Sequence, residues 1–119
     1  MSDERLLRTE DRDGVVVAHV TGEVDLANAA RLGRALASAI PNDAVGVVID
    51  LSSTTYLDSS GVSLVFDLAE RLQARQQLVR VALPEDAPLR RVLRVVNLEA
   101  VVPIVVTADA AEEEIRREA

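Results

Sequence analysis

The sequence predicts an α/β fold built on a mostly parallel sheet. Segments of strand length alternate with segments of helical periodicity along most of the 119 residues. The near-continuous apolar run Val45–Leu51 is typical of a central parallel strand that is buried on both faces. Short connections and right-handed crossovers then predict four or five strands in one sheet, with the helices mainly on one face. A chain of this length can bury a normal core, so we expect a single domain over residues 1–119.

Turn and cap residues divide the chain into these elements. Asp11–Gly14 predicts a hairpin turn, which makes the first strand a candidate antiparallel edge strand. We expect Asp25 to cap the first helix, whose apolar stripe begins at Leu26, and Asn97 to end the third helix in the left-handed conformation. Pro103 indicates an edge position for the last strand. The predicted strands are Arg5–Glu10, Val15–Val20, Val45–Leu51, Leu78–Leu83 and Val101–Val106, and the predicted helices are Leu26–Ile40, Ser60–Gln76, Leu89–Val96 and Ala108–Arg117.

Composition excludes several classes of function. The formal net charge of −7 argues against direct binding of DNA or RNA, which requires a basic surface. All 13 cationic residues are arginines, so a Walker-type or Schiff-base lysine is absent. The absence of cysteine removes disulfides, thiol catalysis and Cys-ligated zinc. No apolar run approaches the roughly 20 residues of a membrane span, so we expect a cytoplasmic protein that does not bind membranes.

Ser59 is the main candidate for chemistry, because it follows the buried strand and lies at the start of a predicted helix. A serine there can be a nucleophile, a ligand to an anion or a phosphoryl acceptor. The only histidine, His19, lies in mid-strand, where we expect it to face solvent or the side of the sheet, and no Gly-x-Ser-x-Gly motif is present. Asp25, Asp50 and Asp58 could converge on a metal ion, but helix capping by Asp25 and Asp58 is the simpler interpretation. Asp25 and Ser59 should share one rim, at the carboxyl ends of the strands.

Several motifs resemble those of a known family. Gly22–Asp25 precedes a helix, Val48–Ser52 lies in the apolar strand, and Tyr56–Val62 carries the Asp-Ser-Ser-Gly element. Together with Leu89–Leu93 and Asn97–Leu98, these segments resemble the STAS domain, specifically the bacterial anti-sigma factor antagonists. The resemblance covers nearly the whole chain. It implies a STAS-like fold and a regulatory binding protein that is not an enzyme and needs no cofactor.

The resemblance also implies a phosphorylation cycle at Ser59. Family members of this type are phosphorylated on the serine directly after the aspartate, which is Ser59 here. The implied partner is an anti-sigma factor with serine kinase activity, whose capture frees a sigma factor and so regulates transcription indirectly. Phosphorylation ends that binding, and a serine phosphatase restores it. Two positions depart from many relatives, which have glycine where Ser63 and Asn97 stand.

A partner surface is predicted around Ser59, on the rim and on the second helix. Plain core packing is an equal alternative for Val62 and Phe66, and N-capping is an alternative for Ser60. Two other functions of this fold stay open: a STAS subunit of a lipid or anion transport assembly, and a nucleotide-sensing STAS module. The predicted partner-binding residues are Glu23, Asp25, Asn28, Asp58, Ser60, Gly61, Val62, Ser63 and Phe66.

Overall fold

The computed structural model describes residues 6–119 as a five-stranded sheet flanked by helices. The strands follow one another across the sheet in chain order, with β1 antiparallel to β2 and every other pair parallel. This arrangement confirms the predicted fold class. The strands are β1 Leu7–Arg12, β2 Val15–Val24, β3 Gly46–Leu57, β4 Leu78–Ala82 and β5 Ile104–Val105, and the helices are α1 Ala29–Ala39, α2 Ser59–Ala74, α3 Leu89–Val95, a 3₁₀ turn Leu98–Ala100 and α4 Ala108–Glu118.

The hairpin between β1 and β2 has the backbone that its sequence predicts. Asp13 and Gly14 have φ values of 54° and 94°, so both lie in the region that Asp and Gly tolerate best. The Asp11 carboxylate accepts a hydrogen bond of 2.8 Å from the Gly14 amide and closes the turn. The antiparallel edge strand is therefore confirmed, although it extends to Arg12. The predicted start of this strand, Arg5, lies outside the described residues.

Both faces of the sheet are covered. Helices α1, α2 and α3 pack on one face, as the strand order requires, and α4 packs on the other. The prediction of helices mainly on one face is thus confirmed for three helices. The larger core joins Val16, Ala18, Val47, Ile49, Val79 and Val81 of the sheet to Leu32, Leu36, Val65, Leu68, Leu72, Leu89 and Leu93 of the helices. The smaller core joins Val15, Val17, Val48 and Ala82 to Ala111 and Ile115 of α4.

Ion pairs fasten α4 to the sheet. Arg80 of β4 has a side chain only 7% exposed, and its guanidinium contacts Glu114 at 2.6 Å and also Glu118. Arg12 of β1 contacts Glu112 at 3.0 Å. Because each arginine bonds to carboxylates on α4, the acidic tail is a structural part of the domain.

Strand β3 is longer than predicted, because it continues past Leu51 to Leu57. Its polar extension pairs only with β2, which also runs on through a bulge, whereas β4 ends opposite Asp50. Most of the hydroxyl side chains of the extension are exposed, but Thr54 is buried and donates a 2.8 Å hydrogen bond to the carbonyl oxygen of Val20. The prediction stopped at Leu51 because an apolar pattern cannot indicate a strand stabilised on one side only.

The last predicted strand, Val101–Val106, is mostly not a strand. Only Ile104–Val105 forms β5, because the turn that begins with the 3₁₀ segment Leu98–Ala100 continues through Val101 and Val102. Its edge position is confirmed, and Pro103 accepts a 3.0 Å hydrogen bond from the Val81 amide through its carbonyl oxygen.

Candidate functional site

The carboxylate of Asp58 joins two segments of the predicted rim. Asp58 is the N-cap of α2, and its Oδ1 accepts hydrogen bonds from the amides of Ser60 at 2.8 Å and Gly61 at 3.0 Å. Its Oδ2 accepts a 3.0 Å bond from the Leu26 amide, which lies in the connection between β2 and α1. Its own amide donates to the carbonyl oxygen of Val24 at 3.2 Å. One side chain thus ties the ends of β2 and β3 to the start of α2.

Ser59 occupies the first position of α2, and its side chain is exposed. The amides of the next two residues, Ser60 and Gly61, already donate to Asp58. N-capping is therefore the role of Asp58, as predicted, and the alternative that Ser60 caps the helix is wrong. The hydroxyl of Ser59 is accessible at a helix start whose second and third amides already donate to Asp58.

The connection between β2 and α1 is a hydrogen-bonded turn. The Asp25 carboxylate accepts a 3.0 Å bond from the Ala27 amide, and the Asp25 amide donates at 3.0 Å to the side-chain oxygen of Asn28. The side-chain amide of Asn28 donates at 2.9 Å to the backbone carbonyl of Glu23. Three predicted rim residues, Glu23, Asp25 and Asn28, therefore hold one another in this turn.

The predicted start of the first helix is wrong. Helix α1 begins at Ala29 rather than Leu26, and Asn28 takes the N-cap position. Asp25 caps the preceding turn instead, because its carboxylate bonds within that turn and its carbonyl accepts from the Ala29 amide at 2.8 Å. As a result Leu26, which the apolar stripe placed in the core, is 81% exposed on the rim.

Gly61 is a point of close approach. It is buried, and a Cβ atom there would lie 2.8 Å from the Val24 carbonyl oxygen and 2.9 Å from a methyl group of Leu57. Glycine is required at this position because α2 starts directly against the ends of β2 and β3. Gly61, one of the predicted partner-binding residues, is therefore buried beneath the surface.

The remaining predicted contact residues follow α2 away from Ser59. Ser63, one turn further along, is exposed. Val62 and Phe66 are half-buried and pack against the larger core, so part of each side chain has the core role that was the alternative. The exposed side of this turn of helix is therefore formed by Ser59 and Ser63, with the edges of the two apolar side chains beside them.

His19 links three strands on the face that α4 covers. Its Nδ1 lies 2.6 Å from an Asp50 carboxylate oxygen and its Nε2 lies 2.6 Å from a Glu10 carboxylate oxygen, and its side chain is 17% exposed. The hydroxyl of Ser52 donates to the other Asp50 oxygen at 2.6 Å. Hydrogen bonds from Arg12 and then His19 lower the pKa of Glu10 to about 2. Sequence reasoning missed this bridge, and with both ring nitrogens bonded to carboxylates His19 offers no base to Ser59.

The three aspartates that could have converged on a metal have separate partners. Asp25 bonds within its turn, Asp50 bonds to the histidine, and Asp58 caps α2. Within residues 6–119, no group of three or more His, Cys, Asp or Glu side chains is arranged to hold a metal ion.

The sequence and the fold match one family of known proteins. The sequence model of the STAS domain matches residues 7–111. The chain belongs to the STAS domain family. This STAS domain is 31% identical over 70 residues to RsfB of Mycobacterium tuberculosis, named an anti-sigma-F factor antagonist, a match that covers 59% of this chain and 57% of that protein. The chain thus spans little more than half the length of that relative.

Similarity to solved structures supports the same family assignment. A crystal structure of an anti-sigma factor antagonist from Mycobacterium paratuberculosis superposes with a TM-score of 0.82 at 30% identity, covering 92% of each chain. SpoIIAA of Bacillus in its phosphorylated form superposes with a TM-score of 0.68, over 92% of this STAS domain and 98% of that chain. At 20% identity, this second match concerns the fold alone. The family that the motifs of the sequence predicted is therefore confirmed.

The two mycobacterial relatives are anti-sigma factor antagonists, which are regulatory rather than catalytic proteins. Within the part of the chain that the structure describes, no helix is both long enough and apolar enough to cross a bilayer.

Proposed function

We propose that this STAS domain is an anti-sigma factor antagonist in the cytoplasm, switched by phosphorylation of Ser59. In its unmodified form it binds an anti-sigma factor that is also a serine kinase, and it thereby frees a sigma factor. Transfer of a phosphoryl group from ATP to the Ser59 hydroxyl ends that binding, and a serine phosphatase restores it. The observation that carries the proposal is the exposed hydroxyl of Ser59 at the start of α2, beside a capping aspartate.

The charge of a phosphate at this position supports a switch. A phosphoserine carries about −1.5 to −2 charges at neutral pH, and the chain already has a net charge of −7. The nearest helix amides, those of Ser60 and Gly61, already bond to Asp58. The phosphate would therefore extend into solvent beside a carboxylate, without two of the backbone donors that an uncapped helix start would offer.

The fold should tolerate this group better than an interface does. The helix dipole favours an anion near the start of α2 by about 0.3–1 kcal/mol, and the exposed side chain of Ser59 leaves the core undisturbed. Burying the same dianion against a partner, next to Asp58, could cost several kcal/mol, and about 3 kcal/mol already corresponds to a roughly hundredfold loss of affinity. We therefore expect phosphorylation to remove binding while the domain stays folded.

The binding test compares the wild type with Ser59→Ala and Ser59→Asp as baits. The wild type and Ser59→Ala should capture an anti-sigma factor, identified by mass spectrometry, and Ser59→Asp should capture much less. Ser38→Asp is the matched control, because Ser38 is exposed near the end of α1 and the substitution adds the same charge away from the rim. Equal capture by all four baits would contradict the switch.

The modification test uses the captured partner and labelled ATP. Labelled phosphate should enter the wild type and Ser60→Ala, but not Ser59→Ala. The phosphorylated domain should keep the circular dichroism spectrum and the melting behaviour of the unmodified one. Labelling of Ser59→Ala, or gross unfolding of the phosphorylated protein, would count against the proposal.

A further inference from the structure

Leu26 is the most exposed large apolar side chain among the described residues, at 81%. Single exposed leucines are common and usually require no explanation. This one differs because its backbone is held on both sides: its own amide bonds to Asp58, and the flanking Asp25 and Asn28 bond to each other. The side chain is therefore presented to solvent from a fixed backbone, and binding it would require little further ordering of the chain.

The surroundings of Leu26 are acidic. Glu23 and Asp25 line an open pocket of about 330 Å³ beside the turn, and the Asp58 carboxylate accepts a 3.0 Å hydrogen bond from the Leu26 amide. Tyr56 of the β3 extension, which pairs with Glu23, adds a half-exposed aromatic ring to the same rim. A partner that covers this surface must accept an apolar side chain surrounded by carboxylates.

We propose that Leu26 is the apolar anchor of the partner interface and inserts into an apolar pocket of the anti-sigma factor that is rimmed by cationic groups. The proposal rests on the function proposed above. The apolar side chain supplies the affinity, and the surrounding carboxylates of Glu23 and Asp25 favour a cationic rim, because like charges facing each other would oppose docking. The occupant is thus a protein surface of defined chemistry.

Asp58 couples this anchor to the phosphorylation site. The same carboxylate that caps α2 beneath Ser59 holds the amide of Leu26 at 3.0 Å. A phosphate on Ser59 therefore places its charge next to the Asp58 carboxylate, which holds the backbone of Leu26. A partner pocket that receives Leu26 would have to accept that dianion at its edge, and this gives a direct route from modification to dissociation.

The test titrates the anti-sigma factor recovered with the wild-type bait, after its identification and purification, against four forms of the full chain. Leu26→Ala removes three carbons and should weaken binding by roughly ten- to a hundredfold at both low and high salt. Glu23→Gln should weaken binding chiefly at low salt, because the loss is electrostatic. Val95→Ala is the matched control: Val95 is 80% exposed on α3, and its variant should bind as the wild type does.

Each outcome decides between the possibilities. Leu26→Ala binding within twofold of the wild type overturns the anchor but leaves the proposed function standing. A wild-type bait that captures no anti-sigma factor overturns both. Sedimentation of each form checks for self-association, and a wild-type dimer that Leu26→Ala dissociates would assign the anchor to a second copy instead. Melting curves should be unchanged for both alanine variants, because both side chains lie outside the core.

Discussion

Replacing Asp58 by alanine should destabilise the domain by about 2 kcal/mol. The loss of an N-cap side chain costs about 1 kcal/mol on average, and here it leaves the amides of Ser60 and Gly61 without their acceptor. The hydrogen bond from the Leu26 amide contributes about a further 1 kcal/mol, because its acceptor is a charged carboxylate and the exposure of Leu26 offsets part of that gain. For a chain of this size, the sum corresponds to a fall in Tm of roughly 8 °C.

Urea unfolding followed by far-ultraviolet circular dichroism at neutral pH measures this effect. Asp58→Asn should lose about half as much, because asparagine caps helices about as well as aspartate but places an NH2 group where Oδ2 accepts from the Leu26 amide. Ser59→Ala should stay within about 0.5 kcal/mol of the wild type, since Ser59 is exposed. Amide hydrogen exchange at Leu26 should accelerate in Asp58→Ala. If Asp58→Ala is as stable as Ser59→Ala, the hydrogen bonds of Asp58 to the start of α2 and to Leu26 do not stabilise the fold, and the reasoning is refuted.

Three further predictions follow from the structure. Gly61→Ala should cost about 1–3 kcal/mol in urea unfolding, because a backbone oxygen of β2 lies 2.8 Å from the new Cβ. Hydrogen bonds from Arg12 and His19 lower the pKa of Glu10 from 4.5 to about 2, so its ionised form stabilises the fold above about pH 4.5 and this contribution is lost as the pH falls towards 2. The free energy of unfolding of Glu10→Gln should therefore fall less than that of the wild type between pH 4.5 and 2. Equal falls would show that ionised Glu10 does not stabilise the fold. Asn97 has a φ of 57°, so Asn97→Ala should lower the free energy of unfolding by about 1 kcal/mol in urea unfolding. Asn97→Gly should leave it unchanged, because glycine tolerates that conformation.

Local sequence signals predicted most of the fold. Strand order followed from alternation and short connections, and the cap at Asp58 followed from an aspartate between an apolar strand and a helical stripe. The left-handed Asn97 at the end of α3 was also predicted, because few residue types other than glycine tolerate that conformation. Each of these features depends on residues that are neighbours in the chain.

The features that were missed depend on residues far apart in the chain. The start of α1 was predicted at Leu26 from the capping tendency of Asp25 and the apolar stripe, whereas Asn28, which also belongs to a residue type that caps helices, takes the N-cap position. The amide of Leu26 bonds to a side chain 32 positions later. The bridge from His19 to Asp50 depends in the same way on strand register, which hydrophobic periodicity does not specify for polar residues.

The two edge strands of the sheet affect how strongly this domain tends to aggregate at high concentration. One border, β1, alternates the charges of Arg8, Glu10 and Arg12, and the other, β5, is two residues long and follows Pro103. Charged, short or proline-flanked borders resist the strand-to-strand stacking that leads to fibres. Both borders therefore disfavour polymerisation through the sheets, and turns and helices form the surfaces where contact with other molecules is less restricted.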